Sequence, residues 1–211
     1  MTATILIATD IFGHTPEVQA LARDLTNGRD VRARVVSPYG SHNGGERPRF
    51  SSEVEAYAAF SARIGLERYT QMVAEALAEH RPALAVGFSV GATALWVALA
   101  APPKPFTGSA VLYYGSRIRD HLDLRPAGDV RLVFAEQEAS FAPAELVATL
   151  QARGMAAELR QGKAHGFMNR LSQGWDATAY AAELERLRGL LAPAGHGWLS
   201  RPDSGSDSTR R

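Results

Sequence analysis

Six short apolar runs punctuate the chain, and helical periodicity fills most of the intervals between them. The runs cover Thr4–Thr9, Val31–Ser37, Ala83–Phe88, Ser109–Tyr114, Val130–Ala135 and Ala156–Arg160. Several are near-continuously apolar, the pattern of strands covered on both faces. Helical character lies at Pro16–Leu25, at Ser52–Glu79 with a break at Gly65, and at Gly91–Ala100, Pro143–Arg153 and Asp176–Leu191. Thr15 ahead of Pro16 is a good N-cap followed by a proline at the first helical position. Ala142-Pro143 opens the next-to-last helix in the same way. This alternation predicts an α/β fold: a six-stranded, mostly parallel, doubly wound sheet with helices on both faces.

Such a sheet with strand order 2-1-3-4-5-6 makes strands one and three neighbours, and the winding reverses between them. Ligands bind outside the carboxyl ends of the strands at such a switch point. The end of strand one, Asp10-Ile11-Phe12-Gly13, is therefore expected to face the end of strand three at Ser89. The 211 residues, 45% of them hydrophobic, suit one domain with a real core, expected over residues 1–193. Gly, Ser, Pro, Asp and Arg dominate residues 194–211, which read as a disordered tail. A net charge of +1 gives no argument for nucleic acid or an anionic membrane as partner. No apolar run approaches the roughly 18 residues of a membrane span, and no secretory signal is read at the N-terminus, so the expected location is cytoplasmic. The absence of cysteine excludes disulfides, thiolate catalysis and Cys-ligated zinc.

Candidate chemistry centres on Gly87-Phe88-Ser89-Val90-Gly91, set between an apolar strand and a helix. A hydroxyl needs a sharp turn to be lifted clear of both flanking elements, and glycines two positions either side remove the collisions that turn creates. The helix N-terminus behind Ser89 adds positive potential where an oxyanion would form. The backbone N–H of Val90, with one from Ile11 or Phe12, would supply the oxyanion donors. A serine at neutral pH also needs a base, and the base an orienting acid. His165 follows the last strand in the order nucleophile, acid, histidine. Glu138 is the chosen acid because it lies deeper in its loop, with Glu136 its rival. Tyr113 and Tyr114, at the end of strand four, stand close to the expected site. Strict alternation would put one at the pocket and the other in the packing. Phe167 and Met168, beside the histidine, are expected as an apolar wall, with Asp10 and Phe12 bordering the same pocket.

Taken together, Asp10-Ile11-Phe12-Gly13, Gly87-Phe88-Ser89-Val90-Gly91-Ala92, Tyr113-Tyr114-Gly115 and Ala164-His165-Gly166-Phe167 resemble the dienelactone hydrolase branch of the α/β-hydrolases. The motifs fall in family order and span nearly everything except the tail. The resemblance implies a minimal α/β-hydrolase without a large cap domain. It also implies hydrolysis of a small ester or lactone, with no metal or organic cofactor. The family nucleophile is commonly cysteine where this chain has Ser89, and the loop acid commonly aspartate where it has Glu138. The acid before Ile-Phe-Gly is commonly glutamate where it has Asp10, and an arginine four residues after the histidine is replaced by Asn169. A thioesterase or acyl peptidase uses the same acyl-transfer chemistry. Two other classes stand beside these: a catalytically silent α/β-hydrolase that binds a small molecule, and a flavodoxin-like carrier suggested by the Thr9–Thr15 loop.

Overall fold

The computed structural model describes residues 2–40, 48–100 and 106–191. The segment expected as a tail, and His42 in the loop after strand two, lie outside these residues. The strands are β1 (Ala3–Ala8), β2 (Val31–Val36), β3 (Leu84–Phe88), β4 (Ser109–Tyr113), β5 (Asp129–Gln137) and β6 (Ala156–Ala164). They form one sheet in the order β2-β1-β3-β4-β5-β6, and every pairing is parallel. The helices are α1 (Pro16–Thr26), α2 (Glu53–Arg63), α3 (Gly65–His80), α4 (Val90–Ala100), α5 (Pro143–Ala152) and α6 (Ala177–Leu190). A short 3-10 turn at Ser116–His121 follows β4.

Local chemistry sets the helix starts. The Thr15 hydroxyl accepts the Val18 N–H at 3.3 Å ahead of Pro16, Ser52 caps α2 through the Glu55 N–H, and Asp176 caps α6 through the Ala179 N–H. The break expected at Gly65 separates α2 from α3. Alternation along the strands then sorts the core into two layers. Ile5, Ile7, Val86 and Val133 face α1 and α6, where Leu21, Leu25 and Leu187 meet them. Leu6, Ala85, Leu112 and Phe134 face Val73 of α3, Leu95 of α4 and Leu150 of α5. Each fully buried aliphatic side chain contributes about 1.5–3 kcal/mol of transfer free energy.

Two departures from the expected boundaries matter for the site. Strands β5 and β6 run further than their apolar cores, through Gln137 and Ala164. Their continuation is polar because it runs past the covered part of the sheet, where Glu136, Gln137, Gln161 and Gly162 are exposed. The register also shifts there: Ala135 stands opposite Arg160, while Gln137 stands opposite Ala164. The extra length in β6 carries Gly162, whose N–H is accepted by the Glu136 carboxylate at 2.7 Å.

Helix α4 is apolar around its whole circumference and almost wholly buried. Its first turn sits directly on the end of β1. A Cβ at Gly91 would lie 2.4 Å from the carbonyl oxygens of both Ala8 and Thr9. Gly91→Ala is therefore expected to cost about 1–3 kcal/mol of stability as α4 is pushed off the sheet. Urea unfolding measures this, and an unchanged midpoint would refute the close packing.

Candidate active site

Ser89 occupies the hinge between β3 and α4 with φ of 51°, a left-handed conformation that is rare for a side-chain-bearing residue. Strain of this kind costs on the order of 1–3 kcal/mol and persists only where neighbours over-determine it. Here the Ser89 N–H donates to the Tyr113 carbonyl at 3.0 Å, and the Ser89 carbonyl accepts the Thr93 N–H at 3.1 Å. Gly87 is needed on the near side, because a Cβ there would meet Cα of Ala92 at 2.7 Å. Val90 is the first helical residue, so its N–H has no partner within the helix.

The Ser89 hydroxyl meets His165 Nε2 at 3.1 Å, and His165 Nδ1 meets Glu138 Oε1 at 2.8 Å. The Glu138 side chain is 5% exposed and that of His165 32%, so the acid is sheltered behind a ring that still reaches solvent. The imidazole is placed by backbone as much as by side chains. Past the bulge, the His165 N–H donates to the Gln137 carbonyl at 3.1 Å, one residue before Glu138. Glu136 points elsewhere and closes the bulge through Gly162. A Cβ at Gly174 would lie 2.0 Å from the His165 carbonyl oxygen, so only glycine lets the following loop fold back against the histidine.

That loop is tied to the rest of the molecule at two points that sequence reading did not join. Ser172 Oγ donates to Glu53 Oε1 at 2.7 Å, with the Gln173 N–H at 3.3 Å from the same oxygen. Asn169 Nδ2 donates to Asp10 Oδ2 at 2.6 Å. Glu53 follows a helix cap and reads as an ordinary first-turn charge; nothing in its neighbourhood points to residue 172.

The Asp10 carboxyl also accepts the Phe12 N–H at 3.0 Å, which spends that amide and leaves Ile11 as the loop's candidate oxyanion donor. The Tyr39 hydroxyl donates to the Ile11 carbonyl at 2.9 Å, and the buried Tyr69 hydroxyl donates to the Thr9 carbonyl at the same distance. Burial pushes the Tyr39 phenol up to about 12, so it remains a donor at neutral pH. Asp10 is 7% exposed, and burial raises its carboxyl above the ordinary value. The bonds from Asn169 and Phe12 and the neighbouring His165 oppose that rise, whereas Glu53 adds to it.

The expected pocket residues divide. Tyr113 is fully buried, stacked on Phe88 with ring centroids 5.3 Å apart, and its hydroxyl donates to the buried Glu183 at 3.1 Å. Phe167 is fully buried edge-on to both tyrosines. Neither lines the cavity or the groove described below, so Phe167 is core rather than pocket wall and Tyr113 is the tyrosine that goes into the packing. The reason is conformational: Tyr114 has φ of 41°, which breaks the strand alternation and turns both tyrosines into the α1–α6 layer. The Tyr114 ring lies 4.9 Å from the His165 ring and, with Asp10 and Met168, lines a cavity of about 200 Å³. Phe12 instead borders a broader groove of about 1170 Å³ with Tyr39, Phe50, Leu171, Arg49 and Arg63. Among the described residues no helix is long and apolar enough to cross a membrane.

A crystal structure of a candidate dienelactone hydrolase from Klebsiella pneumoniae subsp. pneumoniae superimposes with a TM-score of 0.66 at 18% identity, covering 90% of this chain and 86% of that one. The chain has the α/β-hydrolase fold. A dienelactone hydrolase-like promiscuous phosphotriesterase from metagenomic libraries gives a TM-score of 0.58 at 15% identity over 89% of this chain and 84% of its own. The likeness in fold to these two structures agrees with the four motifs that resemble the dienelactone hydrolase branch. By sequence it is 36% identical over 121 residues to the uncharacterized protein YczH of Bacillus subtilis (strain 168), which is 56% of this chain. The match takes in 58% of that relative's length. No family model matches.

The buried Asp10 makes a testable contribution to pH dependence. With its pKa raised on folding, the folded chain keeps a proton that the unfolded chain has released. Stability from this group is thus fullest below the ordinary value of 3.8 and declines as pH rises through the folded value. Asp10→Asn cannot ionise, so its stability should fall less steeply with pH above about 4. Unfolding free energies of both proteins across the acid range measure the two slopes, and equal slopes would contradict the assignment.

Proposed function

We propose that this chain is a serine hydrolase that cleaves a small carboxylic ester or lactone through an acyl-enzyme intermediate. The observation that carries the reading is the unbroken relay from Ser89 Oγ through His165 to Glu138, at 3.1 and 2.8 Å. As the hydroxyl attacks the ester carbonyl, its proton passes to His165 Nε2 and a C–O bond forms to Ser89. Glu138 accepts the Nδ1–H, which fixes the tautomer and stabilises the imidazolium without itself being protonated. The oxyanion is received by the amides of Val90 and Ile11, at the head of α4 and in the Asp10 loop. Collapse of the tetrahedral centre breaks the bond to the leaving alcohol, which takes the proton from His165. Water then attacks the acyl carbonyl, giving a proton to His165; the bond to Ser89 Oγ breaks, that oxygen takes the proton back from His165, and the acid is released. Thioesters follow the same steps with a thiol as leaving group.

Ser89→Ala should lower kcat on a p-nitrophenyl short-chain ester by at least about 10⁴-fold and abolish labelling by a fluorophosphonate. Unchanged turnover would overturn the reading, and a wild-type protein that never labels would favour a silent binding protein. The two glutamates separate the acid. Glu138→Gln should cost about 10⁴-fold in kcat, whereas Glu136→Gln should stay within about threefold. The reverse order would move the acid to Glu136.

A further inference from the structure

Among the described residues four buried side-chain polar atoms lack a hydrogen-bond partner, and two of them, Tyr114 Oη and Glu17 Oε2, belong to residues lining one cavity. This is the space of about 200 Å³ behind the Asp10–Asn169 pair, between α1, the loop after His165, and Tyr180 of α6. Tyr114 is fully buried, and the Met168 backbone only partly offsets the effect of burial on its phenol. Burial holds the phenol well above its ordinary range, so it is a neutral hydroxyl.

The polar wall of this cavity is rich in acceptors. Glu17 Oε2 can only accept. Asp24, whose Oδ2 takes the Tyr180 hydroxyl at 3.0 Å, and Asp10 add two more carboxyl groups. Asn169 has its amide committed to Asp10 and its carbonyl to the Leu171 N–H. The one cation in the lining, Arg170, belongs to an exposed residue and lies over the Trp175 ring at 5.2 Å. The remaining surface is apolar and aromatic, formed by Val18, Leu21, Phe88 and Met168. Such a cavity rejects a carboxylate, which would face like charges. A primary ammonium brings three N–H donors and is attracted to aromatic faces. The volume suits a small ring, since a cavity of about 150 Å³ accommodates benzene.

We propose that this cavity is a binding site for a small primary ammonium compound with an apolar body, the ammonium donating to Glu17 and Tyr114 and the body packing on Phe88, Leu21 and Met168. The inference does not depend on hydrolysis at Ser89, and its test reads binding alone. Benzylamine, benzyl alcohol and benzoate are titrated at neutral pH into the full chain and followed by protein-observed NMR. Saturable binding of benzylammonium is expected, with benzoate at least about tenfold weaker and the alcohol between them. Tyr114→Phe and Glu17→Gln should each weaken benzylammonium by about tenfold, with unfolding midpoints checked in parallel. A crystal soaked with benzylamine should place its nitrogen within hydrogen-bond distance of Glu17, which keeps the test open if Tyr114→Phe does not fold. Failure of benzylammonium to saturate, equal or tighter binding of benzoate, or undiminished binding by Glu17→Gln would each overturn the proposal.

Discussion

The His165 N–H to Gln137 carbonyl bond, formed just beyond the irregularity in the β5–β6 ladder, governs the geometry of the candidate site. A strand period of two means that a slip of one residue would turn every side chain to the opposite face. The extra residues in β6 consume that period locally, and the Glu136–Gly162 bond fixes where they are consumed. Only then does the imidazole emerge opposite Glu138 and within reach of Ser89. The elbow contributes the other half of the constraint, since Gly91 lets α4 descend onto the Ala8 and Thr9 carbonyls and carries Ser89 to the same rim.

The sheet order, the elbow and the residues that meet across it were readable because each rests on a local signal. Apolar runs marked the strands, Gly87 and Gly91 marked the turn, and the position of His165 after the last strand marked the imidazole. Choosing between Glu136 and Glu138 from the sequence rested on loop depth alone; the bulge is what sends one carboxylate to Gly162 and the other to His165. The tyrosine pair reaches its expected division by a different route, with both rings in one layer. Alternation predicts opposite faces, and no residue type at Tyr114 advertises a positive φ. The Glu53–Ser172 and Asp10–Asn169 contacts were invisible because they join residues far apart in the chain through side chains with ordinary local explanations.

Charge around the site is arranged with few direct ion pairs. Glu53 lies near enough to Asp10 to raise the Asp10 carboxyl, yet each is held mainly by neutral donors: Asn169 and Phe12 for Asp10, Ser172 and Gln173 for Glu53. Deep in the α1–α6 layer the pattern changes, and Glu183 takes Arg160, Arg186 and the Tyr113 hydroxyl together. Breaking such a buried pair costs more than forming it gains, so this cluster serves to fix α6 against β6.

The Asp10–Asn169 hydrogen bond joins side chains 159 positions apart, linking the first βα loop to the last. Contacts of such sequence separation close only after most of the chain has condensed, because the loop entropy must be overcome first. The rim that holds Ser89, His165 and Glu138 is thus among the last parts to be completed as the chain folds, and among the first to open when the edge strand frays. A partly folded chain with its sheet centre intact would carry the elbow but no assembled relay, so any acyl transfer at Ser89 would report the finished fold.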